Sequence, residues 1–312
     1  MGVEPSIRVL ASRVLAQQVR HFTALLRQWN GIFDDPLPGT PAHADLDHIN
    51  RHSEKANLLG LRWWAHRATT LNLRAAGEHL TGVSVVLQAE RLLPLPAMAL
   101  ARSVYESVVN TCWLVDAEVS AEQRLARWAG RLLHDSQEPA SALDSFGNAK
   151  AAKKERERLI DARRLGQRLM MRAGFDLKAK GGDKSDETAR VAYGSESSSL
   201  TPNITELVNR FTPASNLWHL FSGAAHSRGW LVSGLEGSET EIIVSVIVPL
   251  LDTSDALAFE MSRYFGLDPR PTIERTHRQR TVIVQRARPN DSPVVGVDLY
   301  REASGLPPLP KP

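Results

Sequence analysis

Four polar side chains occur at helical spacing in two otherwise apolar stretches of the sequence. The pairs, each four residues apart and therefore on one face of a helix, are Arg102 with Glu106 and Ser222 with His226. Histidine titrates near neutral pH and can serve as a general acid or base, and arginine can neutralise a phosphate group. One hypothesis is a catalytic set in which His226 transfers the proton and Arg102 binds the phosphate. Glu106 would orient one of these two side chains, and Ser222 would donate a hydrogen bond.

The same four residues also have a purely structural interpretation. The stretch 97–116 carries an apolar stripe at three- and four-residue steps, and bulky apolar residues fill much of its remaining circumference. A helix that is apolar nearly all round is usually buried, and a buried charge is costly unless it is paired and hydrogen-bonded. A buried Arg/Glu/Ser/His polar network that fixes helix packing therefore stays open beside the catalytic set.

The composition is that of an ordinary soluble globular protein. Of the 312 residues, 42% are apolar and 23% are charged. Cys112 is the only cysteine, which excludes a disulfide within the chain and argues against a cysteine-ligated metal. The first residues lack the apolar core of a signal peptide, and the longest apolar run, 242–251, is too short to span a bilayer. We therefore expect a cytoplasmic protein with no membrane contact.

Two basic segments interrupt a chain whose formal net charge is only +3. The segment 150–184 holds twelve Lys and Arg against five Asp and Glu, and 270–288 holds six Arg against one Glu. Concentrated positive charge favours an anionic partner such as RNA or a nucleotide, and the alternative is a solvated helix face with a flexible tail. The candidate anion- or nucleic-acid-binding residues are Arg163, Arg164, Arg168, Arg275, Arg278 and Arg280.

Apolar periodicity predicts helices through most of the chain and hence an all-α fold. The predicted division is 1–33 as an N-terminal amphipathic helix, 34–45 as a proline-rich linker, 46–266 as the helical domain and 267–312 as an irregular, basic, proline-rich tail. The polar, glycine- and serine-rich segment 174–200 is predicted to be a mobile loop with a short strand near 190–193. The run 242–251 fits a buried strand or a helix bent at Pro249, and helix is favoured because a strand there has no obvious partner.

Three common motifs of catalytic and metal-binding sites are absent from the sequence. The sequence has no glycine-rich phosphate loop, no GxSxG elbow and no HExxH zinc helix. A cluster of metal-ligand residue types near the predicted linker lacks the spacing of a pre-ordered metal site; its members are His43, Asp45, Asp47 and His48. We therefore expect neither a metal nor a cofactor.

The segments LARSVYESVVNTCWLVD, EQRLARW and NLWHLFSGAAHSRGW resemble an actinobacterial branch of the HEPN-like all-helical superfamily. The resemblance extends over most of 50–265 and is strongest at the two core helices. In that branch, a helix with an Arg/Glu pair is followed by an aspartate, an arginine-containing helix and a Ser/His helix. The matching positions in this chain are Arg102, Glu106, Asp116, Arg124, Arg127, Ser222 and His226.

The resemblance implies a HEPN-like helical bundle. Many members of the superfamily are metal-independent ribonucleases that act as dimers and carry an arginine, four to six residues, then a histidine; no arginine precedes His226 at that distance. Other branches bind nucleotides or are inactive partners. We therefore predict an interaction module or a nucleotide- or RNA-binding module, as a homodimer or with a protein partner. The alternatives are a metal-independent endoribonuclease with His226 as general acid/base and an enzyme that acts on a small metabolite in the same helical pocket.

Overall fold

The computed structural model describes residues 6–143, 150–179, 188–213, 215–226 and 239–287, and its fold is mainly helical. The helices are α1 (Ile7–Ile32), α2 (Pro41–Arg51), α3 (Lys55–Leu87), α4 (Pro94–Leu114), α5 (Ala121–Leu143), α6 (Lys150–Arg172), α7 (Ile204–Phe211), α8 (Ser215–Ala225), α9 (Glu239–Phe265) and α10 (Arg270–Ala287). The strands β1 (Phe175–Ala179), β2 (Thr188–Tyr193) and β3 (Glu196–Ser199) form one antiparallel sheet. The predicted all-α class is confirmed as a mainly helical fold, to which the structure adds this small sheet.

Helix α4 is the centre of the bundle, because α3, α7, α8 and α9 all pack around it. Its fully buried side chains include Val104, Tyr105, Val108 and Cys112. Pro94 opens the helix in its first turn, where a missing N–H removes no helical hydrogen bond. The apolar periodicity over 97–116 therefore predicted this helix correctly, and its apolar surface on several sides explains why it lies in the interior.

The N-terminal helix α1 packs onto the body of the protein. Its apolar stripe, which includes Leu15, Phe22 and Trp29, is buried against α3, α9 and α10. The prediction of an amphipathic helix over 1–33 is confirmed for the described part of that range. The apolar face of α1 belongs to the same hydrophobic core as the later helices.

Helix α2 begins at Pro41, within the segment 34–45 that was predicted to be a linker. Thr40 caps this helix, since its side-chain oxygen accepts a hydrogen bond from the His43 N–H at 3.2 Å. Proline at the first helical position adds to this N-terminal signal. The linker prediction was wrong for 41–45, because a proline that marks a loop is equally suited to the first turn of a helix.

The segment predicted as a mobile loop, 174–200, contains the three-stranded sheet. Strand β2 pairs with both β1 and β3, and the strand predicted near 190–193 is confirmed as part of β2. The sheet rests on α5, where Gly130 allows close approach: a Cβ there would lie 3.1 Å from the Ser199 carbonyl oxygen. The loop prediction was wrong for these strands, because each has only four to six residues and the serine-rich β3 lacks the apolar alternation by which strands are recognised. Residues 180–187 lie outside the described part of the chain.

Helix α10 occupies part of the segment that was predicted to be an irregular tail. It packs against α9 and α1 and buries Ile273 and Ile283 together with Thr276 and Arg280. The tail prediction was wrong for this helix, because a threonine and an arginine take core positions and hide the apolar stripe. The remaining tail residues, 288–312, lie outside the described part of the chain.

Helix α9 includes the run 242–251, for which strand and helix were both open. The run is helical and continues through Pro249 to Phe265, after which Gly266 adopts φ = 75° and ends the helix. Among the described residues, α9 is the one helix long and apolar enough to cross a membrane by length and composition. Most of its apolar window is buried inside the protein, a property that it shares with core helices of soluble proteins.

Candidate functional site

The Arg102–His226 site, formed by Arg102, Glu106, Ser222 and His226, lies where α8 ends against α4. Arg102 Nη1 donates a hydrogen bond to His226 Nε2 at 2.9 Å. Arg102 Nε donates a second one to Glu106 Oε1 at 2.7 Å. Arg102 therefore bridges Glu106 and His226, and the structure brings together the two predicted residue pairs.

The docking of α8 on α4 positions His226. Tyr105 is fully buried on α4, and its ring packs edge-on against Phe221 of α8 with the centroids 5.8 Å apart. Trp218 lies three residues before Phe221, and its ring centroid is 5.7 Å from the Arg102 guanidinium carbon. His226 follows directly after the last residue of α8. These aromatic contacts therefore set the distance between the histidine ring and Arg102.

The Arg102–His226 site lies at the protein surface. The side chains of Arg102 and Glu106 are 22% and 33% exposed, and His226 is exposed. The predicted burial of the polar network holds only in part, because Arg102, Glu106 and Ser222 are half-buried whereas His226, just after the end of α8, is exposed. The site is therefore open to a ligand or a substrate.

The hydrogen bond from Arg102 gives His226 Nε2 the role of an acceptor. A guanidinium has only donors, so His226 Nε2 must accept the hydrogen bond, and the ring then carries its proton on Nδ1. This neutral form is the one that a general base requires. Its Nε2 lone pair becomes free only when Arg102 turns to another acceptor, such as a phosphate oxygen.

Ser222 lies one turn before His226 on α8 and is half-buried. Its carbonyl oxygen accepts a hydrogen bond from the His226 N–H at 3.1 Å, which extends the helical pattern to the histidine. Among the described residues, its hydroxyl makes no hydrogen bond to Arg102, Glu106 or His226. The structure therefore places Ser222 beside the histidine without a direct side-chain link to the arginine.

The predicted anion-binding arginines belong to two helices with different packing partners. On α6, which packs against α5 and β1, Arg164 and Arg168 are exposed but Arg163 is buried. On α10, Arg278 is exposed, whereas Arg275 is half-buried and donates a hydrogen bond to His21 Nδ1 at 3.0 Å. Arg164, Arg168 and Arg278 are thus the exposed members of this set.

Arg280 is not accessible to an anionic partner. It is buried, and its guanidinium forms ion pairs with Asp252 at 2.7 Å and with Asp255. Burial raises the pKa of Asp255 to about 6, although Arg280 and the hydroxyl of Thr276 oppose the rise. The assignment of Arg280 to nucleic-acid binding was wrong, because this side of α10 faces two aspartates of α9.

A second cluster of polar residues, in the interior, links α2, α5 and α9. Asp45 is fully buried and accepts hydrogen bonds from Nε and Nη2 of Arg124, the shortest at 2.7 Å. The Tyr264 hydroxyl donates to Asp45 Oδ2 at 2.8 Å. Burial raises the pKa of Asp45, and the Arg124 guanidinium opposes that rise. The sequence has no periodic signal that would have paired Asp45 with Tyr264.

The buried carboxylate of Asp116 pairs with two further arginines, of which Arg127 is buried and Arg210 is exposed. Its Oδ2 accepts a hydrogen bond from Arg127 Nη1 at 2.9 Å, and Arg210 Nη2 of α7 lies 2.6 Å from the same oxygen. Three of the positions matched by the resemblance, Asp116, Arg124 and Arg127, therefore form ion pairs between structural elements. None of these three contacts the Arg102–His226 site in the described part of the chain.

The candidate metal-ligand cluster separates in the fold. Asp45 turns inward to Arg124, whereas His43 and Asp47 pair at the surface with 3.2 Å between Nδ1 and Oδ2. His48 Nε2 lies 3.2 Å from the Tyr193 hydroxyl. Within the described ranges, no three His, Cys, Asp or Glu side chains come together as metal ligands.

Comparisons with known proteins add no family assignment. No protein-family model matches the chain, and no curated protein and no solved structure matches it significantly.

Proposed function

We propose that the protein is a HEPN-like helical module that binds the phosphate of RNA or of a nucleotide at the Arg102–His226 site. The observation that carries the proposal is the surface contact between Arg102 and His226, to which two separate helices contribute. The mainly helical fold and the packing of an Arg/Glu helix on a Ser/His helix support the likeness to that superfamily. In the superfamily motif the arginine precedes the histidine by a few residues, whereas here Arg102 of α4 contacts His226 at the end of α8.

Arg102 is suited to bind a phosphate oxygen. Glu106 accepts from its Nε and His226 from its Nη1, and Nη2 makes no hydrogen bond to any other described residue. Hydrogen bonds from a guanidinium to a phosphate are charge-assisted and geometrically specific. A phosphate bound there would draw Arg102 away from His226 and free the Nε2 lone pair.

A metal-independent endoribonuclease is the second candidate, and the acceptor role of His226 Nε2 favours it. Nε2 would remove the proton of the RNA 2′-hydroxyl, and the 2′ oxygen would attack the adjacent phosphorus. The new P–O2′ bond forms as the P–O5′ bond breaks, and the leaving oxygen takes up a proton. The products are a 2′,3′-cyclic phosphate and a 5′-hydroxyl. Arg102 would stabilise the negative charge on the phosphorane.

Arg102→Ala should weaken binding of a single-stranded RNA oligonucleotide about 10- to 100-fold, the equivalent of one charge-assisted hydrogen bond. The slope of affinity against salt should also fall by about one phosphate contact. Fluorescence anisotropy over a salt series measures both quantities. Arg67→Ala is the matched control, because Arg67 is a surface arginine 5.8 Å from the Trp63 ring centroid. Unchanged affinity in Arg102→Ala, or an equal loss in Arg67→Ala, contradicts the proposal.

His226→Ala separates the two candidate functions. If the protein is a ribonuclease, the wild type cleaves labelled RNA in the presence of a chelator. The variant should then lose about 10²- to 10⁴-fold in rate at an unchanged melting temperature. If the protein is a binding module, neither form cleaves, and the substitution changes affinity alone. Full cleavage by a folded His226→Ala protein would exclude His226 as the general base.

A further inference from the structure

A cavity of about 320 Å³ lies beside the C-terminal end of α7 and shares no residue with the Arg102–His226 site. Its walls are the end of α7, the second half of α9 and Glu118 in the connection between α4 and α5. Cavities that bind small molecules usually span about 300–1,000 Å³, so this one suits a small metabolite. The lining side chains that matter here are Glu118, Arg210, Phe211, Phe259, Glu260 and Arg263.

Glu260 lines this cavity, and its carboxylate has one buried oxygen without a partner. The residue is only 7% exposed, and Oε2 makes no hydrogen bond in the described part of the protein. Its other oxygen, Oε1, lies 3.6 Å from Arg263 Nη1, which is beyond hydrogen-bonding distance. A buried acceptor without a donor is costly, and a ligand that supplies an N–H group would remove that cost.

The charges around Glu260 also indicate that its carboxylate lacks a hydrogen-bond donor. Burial raises its pKa to about 7, and Asp116 and Glu118 add to the rise, whereas Arg263 and Arg210 oppose it. The charged and titratable groups around it are Cys112, Asp116, Glu118, Arg210 and Arg263. A bound cation would favour the ionised carboxylate and release a proton near neutral pH.

The Glu118 carboxylate lies between two arginines of this cavity. Its Oε1 accepts a hydrogen bond from Arg263 Nη1 at 2.9 Å, and its Oε2 accepts one from Arg210 Nη2 at 3.3 Å. The Glu118 side chain is 56% exposed and lies on a connecting segment, so it can move aside. The two guanidiniums would then bind another carboxylate in its place.

We infer that this cavity binds a small zwitterion of the α-amino-acid type, with its ammonium on Glu260 and its carboxylate on Arg263 and Arg210. Glu260 Oε1 and Arg263 Nη1 carry opposite charges and lie only 3.6 Å apart. A ligand that binds both must therefore carry its positive and negative groups close together. A nucleotide places its base much farther from its phosphate and fits this spacing less well. Phe211 and Phe259 supply apolar surface for the ligand's side chain.

Isothermal titration calorimetry with each of the twenty protein amino acids tests the inference on the full chain. At least one should bind. Its analogue without the amino group and its analogue with a carboxamide in place of the carboxylate should each bind at least tenfold more weakly. Binding heats at pH 7 should differ between buffers of different ionisation enthalpy, because Glu260 releases a proton as it ionises. The inference does not depend on RNA binding, so the RNA and amino-acid assays can fail separately.

Three substitutions connect the binding to named side chains. Glu260→Gln should weaken amino-acid binding at least tenfold and abolish the dependence of the binding heat on the buffer. Glu118→Gln should strengthen binding several-fold, because the competing carboxylate loses its charge. Glu274→Gln, at an exposed position of α10 outside the cavity, should change neither quantity.

Two results would overturn the inference. One is that none of the twenty amino acids binds to the wild-type protein. The other is that binding occurs but keeps its affinity and proton release in Glu260→Gln. The surface variant Glu118→Gln provides a second test should Glu260→Gln fail to fold, since equal or weaker binding in Glu118→Gln contradicts the proposed competition.

Discussion

Arg280→Met should lower the free energy of unfolding by about 3–5 kcal/mol at pH 7, because it leaves the buried Asp255 and the half-buried Asp252 without their cation. Arg280 lies in the interior between α10 and α9, paired with Asp252 and Asp255. Methionine keeps most of the side-chain volume, so the loss reports the charge and its hydrogen bonds more than a cavity. Urea unfolding followed by circular dichroism measures it.

The loss caused by Arg280→Met should depend on pH. Burial raises the pKa of Asp255 to about 6 and also raises the pKa of Asp252 even with Arg280 in place. A carboxyl whose pKa is higher in the folded than in the unfolded state stabilises the fold when it is protonated. This stabilisation is complete below the pKa of the unfolded state and is lost as the pH rises through the pKa of the folded state. Without Arg280 the folded values rise further, so the deficit should be smallest near pH 5 and largest at pH 8.

Arg278→Met is the control for Arg280→Met, because it changes an exposed arginine two residues away on the same helix. It should change stability by no more than about 0.5 kcal/mol. Adding Asp255→Asn to Arg280→Met should restore part of the lost stability, since one uncompensated charge disappears. Wild-type stability with reduced RNA affinity in Arg280→Met would return this residue to the anion-binding role that the sequence suggested.

Helices were predictable where an apolar stripe is continuous in the sequence. The stripes of α1 and α4 show three- and four-residue steps, and both helices are found close to their predicted limits. Helix α10 was missed because Arg280 and Thr276 take core positions that only their partners on α9 make acceptable. Burial of a charge depends on tertiary pairing, which periodicity does not contain.

The Arg102–His226 site was predictable only within each helix. The spacing of Arg102 and Glu106 implied their ion pair, because residues four apart meet on a helix. The contact of Arg102 with His226 joins residues 124 positions apart and depends on how α8 docks through Phe221. The exposure of the site could not be predicted either, since it depends on where α8 ends against α4.

Asp45→Ala should cost about 3–5 kcal/mol of unfolding free energy, the range for removing one partner of a buried ion pair. Asp45 is fully buried, and its loss leaves Arg124 without its carboxylate and the Tyr264 hydroxyl without its acceptor. Thermal and urea unfolding at pH 7 measure the effect. The residue lies in a segment that was predicted as linker, where a substitution would be nearly neutral.

Two matched variants test the explanation for Asp45→Ala. Asp47→Ala removes the same residue type from the same helix, but the Asp47 side chain is 53% exposed and, within the described ranges, pairs with His43 at the surface. It should cost no more than about 0.5 kcal/mol. Tyr264→Phe removes one hydrogen bond to Asp45 and should cost about 1.5–3 kcal/mol. Equal effects of Asp45→Ala and Asp47→Ala would show that α2 contributes no buried ion pair.

Through Arg124, Asp45→Ala should also affect ligand binding in the cavity lined by Glu260 and Arg263. Arg124 Nη1 also donates to the carbonyl oxygens of Asp116, at 2.9 Å, and of Val119, and so holds the connection that carries Glu118. Without Asp45 the guanidinium is no longer held from its other side, and this connection should loosen. Asp45→Ala should therefore also alter amino-acid affinity in the fraction that stays folded, whereas Asp47→Ala should leave it unchanged. Large destabilisation with wild-type affinity would show that the interior cluster holds the helices together without positioning Glu118.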